Sequence, residues 1–146
     1  MAENESLQQN TPAVQSHLTI LQSVIQRMSS NSASSKSWCI TLVSAILVIV
    51  ADKDNPQYAW LALLPTTLFF LLDAYYLSLE RSFRNAYNEF IVKLHSQNLQ
   101  QEHLFVVTPQ GDRLSLFLSS AGSFSVWPFY ATLAGMIWLA KEFVLK

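Results

Sequence analysis

Apolar positions follow two different rhythms along this chain. Near the amino end, Val14, Leu18, Leu21, Ile25 and Met28 recur at alternating spacings of four and three, which lines one stripe of a helix. Tyr76, Phe83, Tyr87, Phe90 and Leu94 repeat the same period further on. Between and beyond these stripes the rhythm is lost: residues 37–51, 55–72 and 114–140 are long blocks without a charge. Crossing the hydrocarbon core of a bilayer takes roughly 20 apolar residues of helix. The pattern therefore predicts an integral membrane, mainly α protein. Two spans form a helical hairpin, and the two amphipathic stripes continue from it as an antiparallel cytoplasmic stalk. In that stalk Leu21 and Ile25 pack against Phe83, Tyr87 and Phe90. The other reading of the stripes is that each lies separately on the membrane surface; neither polar face is rich in lysine or arginine, as that would favour.

Boundaries follow from the same pattern. Residues 1–12 are polar and expected to be flexible, and 13–95 hold the amphipathic helix, the two-span hairpin and its cytoplasmic extension. Residues 96–124 form a cytoplasmic linker, and 125–146 a third span or an interfacial helix. The serine-rich stretch 29–35 fits either a flexible break or a small-residue contact within one helix; a bend or a brief break near Asn31 is the expectation. The first span is short, about 22 Å at 1.5 Å per residue, so Lys36 and Asp52 are expected at its two surfaces. Pro65 is expected to kink the second span. In the linker, Val-, Phe- and Leu-rich runs at 104–107 and 114–118 flank Thr108-Pro109-Gln110-Gly111-Asp112-Arg113, which reads as a short β-hairpin. Pro128 stands near the start of the third apolar block, whose core is about fifteen residues against the roughly 20 of a full span.

Composition sharpens this picture more than it changes it. Only 13% of residues are charged, about half the share in ordinary globular chains. A net charge of −1 offers no basic field, so direct nucleic-acid binding is not expected. The first apolar block starts too late, and lacks the basic start and cleavage site, for a secretory signal. Cys39 is the single cysteine, which leaves no intramolecular disulfide and suggests a packing thiol. His17, His95 and His103 are far apart, and the three glycines are isolated. Neither a metal set, nor a phosphate loop, nor a nucleophile–base pair is legible, so no catalytic residue, cofactor or metal is expected and the chain does not read as an enzyme.

Charge decides orientation. Arg27 and Lys36 precede the first span and Arg81, Arg84 and Lys93 follow the second, while the 52–56 turn holds Lys53 against two aspartates. The amino terminus and residues 80–124 are thus expected on the cytoplasmic side. Asp73 is the one ionisable residue inside a span, which by default marks a functional or paired group. Its depth, about 10 Å from Glu80, favours an ion pair at the inner boundary, with Lys36 or Arg84; a proton or ion relay is the other reading.

The ordered set Ile25-Gln26-Arg27-Met28-Ser29-Ser30-Asn31-Ser32, Lys36, Trp38, Thr41-Leu42-Val43-Ser44-Ala45, Asp54-Asn55-Pro56, Phe70-Leu71-Leu72-Asp73-Ala74-Tyr75-Tyr76-Leu77 and Glu80-Arg81-Ser82-Phe83-Arg84-Asn85-Ala86-Tyr87 resembles a family of small bacterial multi-pass membrane proteins. These are similar in build to the transmembrane effectors of phage-defence systems of the retron or cyclic-nucleotide type. The resemblance covers residues 13–95. It implies a bacterial inner-membrane protein, homo-oligomeric, with Lys36, Asp73, Glu80, Arg81 and Arg84 in one cytoplasmic-side cluster. It also implies an effector that perturbs the bilayer when released by a cytoplasmic sensor protein. The alternative is a non-toxic membrane anchor or interaction subunit of a larger complex.

Overall fold

The computed structural model describes residues 11–53 and 55–144; the first ten residues, on which most of the expected flexible segment falls, lie outside them. Pro12 opens helix α1 (Pro12–Asp52) behind an extended Thr11, a position where proline's missing N–H costs nothing. A 3₁₀ segment (Pro56–Ala62) leads into α2 (Leu63–His95), followed by α3 (Arg113–Ala121) and α4 (Trp127–Leu139), which ends in a π turn (Ala140–Val144). The fold is mainly helical, with no strand among the described residues.

Helix α1 runs over about 60 Å without interruption, so there is no break near Asn31. The reason lies in what its serines touch. Ser32, Ser35, Cys39 and Val43 are buried on one face of α1, opposite Ala59, Ala62, Thr66, Asp73, Ala74 and Ser78 on the following segment. Small side chains on both surfaces allow two helices to approach closely, and that contact keeps α1 helical through a sequence that reads as a break. Nor does Pro65 kink a long helix. The chain is 3₁₀ up to Ala62 and turns α-helical at Leu63, so Pro65 occupies a first turn, where proline is tolerated.

The β-hairpin expected over 104–118 is absent: residues 104–112 are turn and irregular chain without a strand, and helix begins at Arg113. Asp112 accepts a hydrogen bond from the Ser115 N–H (2.8 Å) and caps α3. Gly111 supplies the turn before it at φ 107°, a conformation that suits glycine. Leu114, Phe117, Leu118 and Ala121 then keep a helical period, not an alternating one.

Helices α3 and α4 run back along α2. The partners on α2 and the 3₁₀ segment before it descend as the chain advances: the Gln110 N–H donates to the Ser82 carbonyl, Arg81 donates to Ser119 and Ser123, Tyr130 donates to the Phe69 carbonyl, and Lys141 lies over the Trp60 ring at 5.6 Å. Two cores result. One joins Cys39, Val43, Ala62, Ala74, Val126, Tyr130 and Ile137 across α1, α2 and α4. The other joins Val14, Phe90, Leu94 and Leu99 at the opposite end.

Candidate functional site

The surface divides along the long axis. Large apolar side chains stand exposed on α1 at Trp38, Ile40, Leu42, Val48 and Ile49, and on the second segment at Tyr58, Trp60, Leu61, Leu64, Leu68, Leu71 and Tyr75. On α4 and its π turn they are Trp127, Met136, Trp138, Leu139 and Phe143. Along the far halves of α1 and α2, Ile20 and Val92 are the exposed large apolar residues. Two helical stretches, Pro12–Asp52 and Pro56–His95, are long and apolar enough to cross a membrane, and only 22% and 28% of their most apolar windows are buried. A soluble protein's core helix of that character would be mostly covered; contiguous exposed apolar area on this scale marks an interaction surface.

Where the apolar belt meets the polar half, a buried polar cluster ties three helices together. Asp73 is fully buried. Ser32 Oγ donates to its Oδ1 at 2.5 Å, and Lys36 Nζ lies 2.5 Å from Oδ2. Ser32 and Lys36 are one turn apart on α1, so a single helix face presents both groups to one carboxylate. Tyr130 of α4 sits beside the same carboxylate and donates to the Phe69 carbonyl one turn before it (3.0 Å). Of the two readings of Asp73, the geometry is that of an ion pair with Lys36 and not with Arg84.

Arg84 pairs instead with Glu80 one turn back, at 2.8 Å, and Arg81 reaches across to the Ser119 and Ser123 hydroxyls at 3.1 Å each. The single charged cluster that the resemblance implied is therefore two: a buried Lys36–Asp73 pair, and a more exposed set that fastens α3 to α2. Ser82 Oγ adds a 2.8 Å bond to the Gln110 carbonyl. Sequence reasoning missed Ser32, Tyr130, Ser119 and Ser123 because serines and a tyrosine in apolar surroundings carry no local signal of their distant partners.

In the stalk, Leu21 and Phe90 are buried as expected, while Ile25, Phe83 and Tyr87 are half-buried. Tyr87 meets Gln22 through its hydroxyl at 3.5 Å. Val14 and His17 complete the contact, with the His17 ring 4.3 Å from that of Phe90. His17 Nδ1 accepts the Phe105 N–H at 2.9 Å, which requires that nitrogen to be unprotonated. Phe105 itself has φ 63°, an uncommon left-handed conformation for a bulky residue. The histidine thereby clamps the linker onto α1.

Burial lowers the pKa of His17 below its ordinary value of 6.5. The folded state thus binds fewer protons than the unfolded state below that pH, so the clamp's stability is complete above about pH 6.5 and falls as the pH drops through and below it. The protection factor of the Phe105 amide is expected to fall between pH 7.5 and 5.5, so that its exchange slows by less than the intrinsic chemistry dictates. In His17→Gln that extra pH dependence should vanish; its persistence would place the titrating group elsewhere.

A cleft of about 330 Å³ lies beside this clamp, lined by His17, Glu89, Phe90, Lys93, Glu102 and His103 among others. Among the described residues no three His, Cys, Asp or Glu side chains converge as a metal site. No family model matches the chain, and no curated protein or solved structure does either.

Proposed function

We propose that this chain is an integral membrane protein that acts on the bilayer in an assembled form, with its polar stalk as the regulated end. The observation that carries the membrane reading is the exposed apolar belt over 38–49, 58–75 and 127–143, set against far halves of α1 and α2 on which only Ile20 and Val92 are exposed large apolar residues among those described. In this reading α4 is a third crossing, because it runs from Tyr130 beside Phe69 to Lys141 over Trp60 and so accompanies α2 through the apolar section. Its short helix is extended by the π turn to Val144. Arg27, Arg81, Arg84, Lys93 and Arg113 gather at the stalk end, against Lys53 and Lys141 at the other, which argues for a cytoplasmic stalk.

Assembly is the natural route to any effect on the membrane. Among the described residues, the one charge pair buried within the apolar section, Lys36 with Asp73, is closed on itself and lines no path. A groove of about 440 Å³ runs between α1 and α4, with Ser44 and Thr132 in its apolar wall. Gly135 on α4 faces open space, so a neighbouring helix can approach closely there. Release of such a protein from a cytoplasmic partner would make it an inner-membrane effector, in keeping with the phage-defence resemblance of residues 13–95. The stalk's cleft is where that partner would bind.

Two measurements test this. Reporter fusions after residues 54 and 98 are expected to report outside and inside respectively; an external signal at 98 overturns the orientation. Inducible expression of the chain alone is expected to collapse the membrane potential, read with a voltage-sensitive dye. Harmless expression, with a cytoplasmic protein co-purifying in fixed ratio, would assign the chain an anchoring role instead.

A further inference from the structure

We infer that the cleft between α2 and α3 is a binding site for one anionic phospholipid, a proposal that rests on the membrane reading above. The cleft encloses about 450 Å³, and its walls include Tyr75, Leu79, Leu116 and Phe117, with Ser82 and Arg113 toward its polar end. Its depth in the bilayer follows from α2. From Trp60, at the Lys141 end, to Ser78 is roughly 30 Å of 3₁₀ and α helix, the thickness of the hydrocarbon core. Tyr75 and Leu79 therefore bracket the inner limit of the hydrocarbon, and Arg113, next to the Ser82 level, stands among the headgroups.

The serines of the cleft and the charges around it are committed elsewhere, with the exception of Arg113. Ser78 Oγ donates to the Tyr75 carbonyl (2.7 Å) and Ser82 Oγ to that of Gln110. Asp112, the acidic neighbour of Arg113, turns its carboxylate onto the Ser115 N–H. Arg84 has Glu80, and Arg81 has two serines. Arg113 pairs with no carboxylate among the described residues, and it stands exposed at the polar end of an apolar slot. A guanidinium offers a fork of donors suited to a phosphate diester, and the apolar walls below it match the first methylenes of an acyl chain. Leu114 and Leu118, exposed on α3, extend that apolar surface toward the surrounding lipid. The occupant that satisfies both the charge and the slot is a phospholipid with a net negative headgroup.

The test is native mass spectrometry of the full chain in mild detergent, titrated with phosphatidylglycerol or phosphatidylcholine. The expected result is retention of one phosphatidylglycerol in preference to phosphatidylcholine. Arg113→Gln should weaken this about tenfold and Arg113→Lys by a smaller factor, since lysine keeps the charge but not the fork of donors, while Arg27→Gln, which removes an equal charge from the stalk, should leave it largely intact. Equal loss in Arg113→Gln and Arg27→Gln would reduce the effect to net charge and overturn the site. Equal retention of both lipids would also overturn it, as would displacement of the lipid by millimolar inorganic phosphate. Resistance of the chain to alkaline carbonate extraction tests the membrane reading separately, so a lipid-binding failure in a chain that resists extraction refutes the site alone.

Discussion

Replacing Lys36 by Met is expected to destabilise the protein by about 3–5 kcal/mol, the usual cost of stranding one partner of a buried ion pair. Asp73→Asn should cost less, about 1–3 kcal/mol. The asymmetry follows from exposure: the Asp73 carboxylate is 0% exposed and the Lys36 side chain 22%. A stranded Lys36 can turn its ammonium toward water or headgroups along its flexible stem. A stranded Asp73 is left with neutral neighbours, the hydroxyls of Ser32 and Tyr130, and no cation. The double variant should return to within about 1–2 kcal/mol of the original chain, because no unpaired charge remains. Unfolding in mixed detergent micelles, read for the four members of the cycle, measures the coupling. Additive losses would mean that the two charges do not stabilise each other and would reopen the relay reading of Asp73.

That pair is legible in the amino-acid sequence, and the reason is physical. A single carboxylate within an uncharged block costs so much unpaired that the nearest cation at the right depth becomes its natural partner. The helical hairpin is legible for a similar reason, since uncharged blocks of that length admit few alternatives. The stretch 29–35 is harder. Serines are neutral in propensity and common in loops, and only the opposing alanines and Thr66 on the next segment reveal that they form a contact face. The linker misleads in the opposite way. Val-, Phe- and Leu-rich runs around Pro109 and Gly111 resemble strands, while Asp112 with Ser115 three residues on, followed by Leu114, Phe117, Leu118 and Ala121, carries the helix signal. The His17–Phe105 clamp joins residues 88 apart in sequence; a lone histidine on a helix gives no local hint of it.

Phe90→Ala is expected to cost about 3–5 kcal/mol in the stalk, by lost burial and the cavity left behind. Phe90 is 6% exposed and packs in the cluster with Val14, Leu94 and Leu99 beneath the His17 ring. Val92, two residues away and 65% exposed, is its control, and Val92→Ala should change stability by no more than about 0.5 kcal/mol. The effect of Phe90→Ala should also be local. The stalk and the apolar section have separate hydrophobic clusters, so opening one leaves the contacts of the other intact, as sub-global unfolding requires. Hydrogen exchange should therefore rise across residues 14–24 and 86–94 and at Phe105, whose amide depends on His17 staying in place, while residues 39–50 and 66–77 keep their protection. A uniform rise along α1 and α2 would mean that the two long helices unfold as one unit. Under the function proposed above, local opening instead would make the stalk the part of the molecule that a partner could grip or release without dismantling the helices of the apolar section.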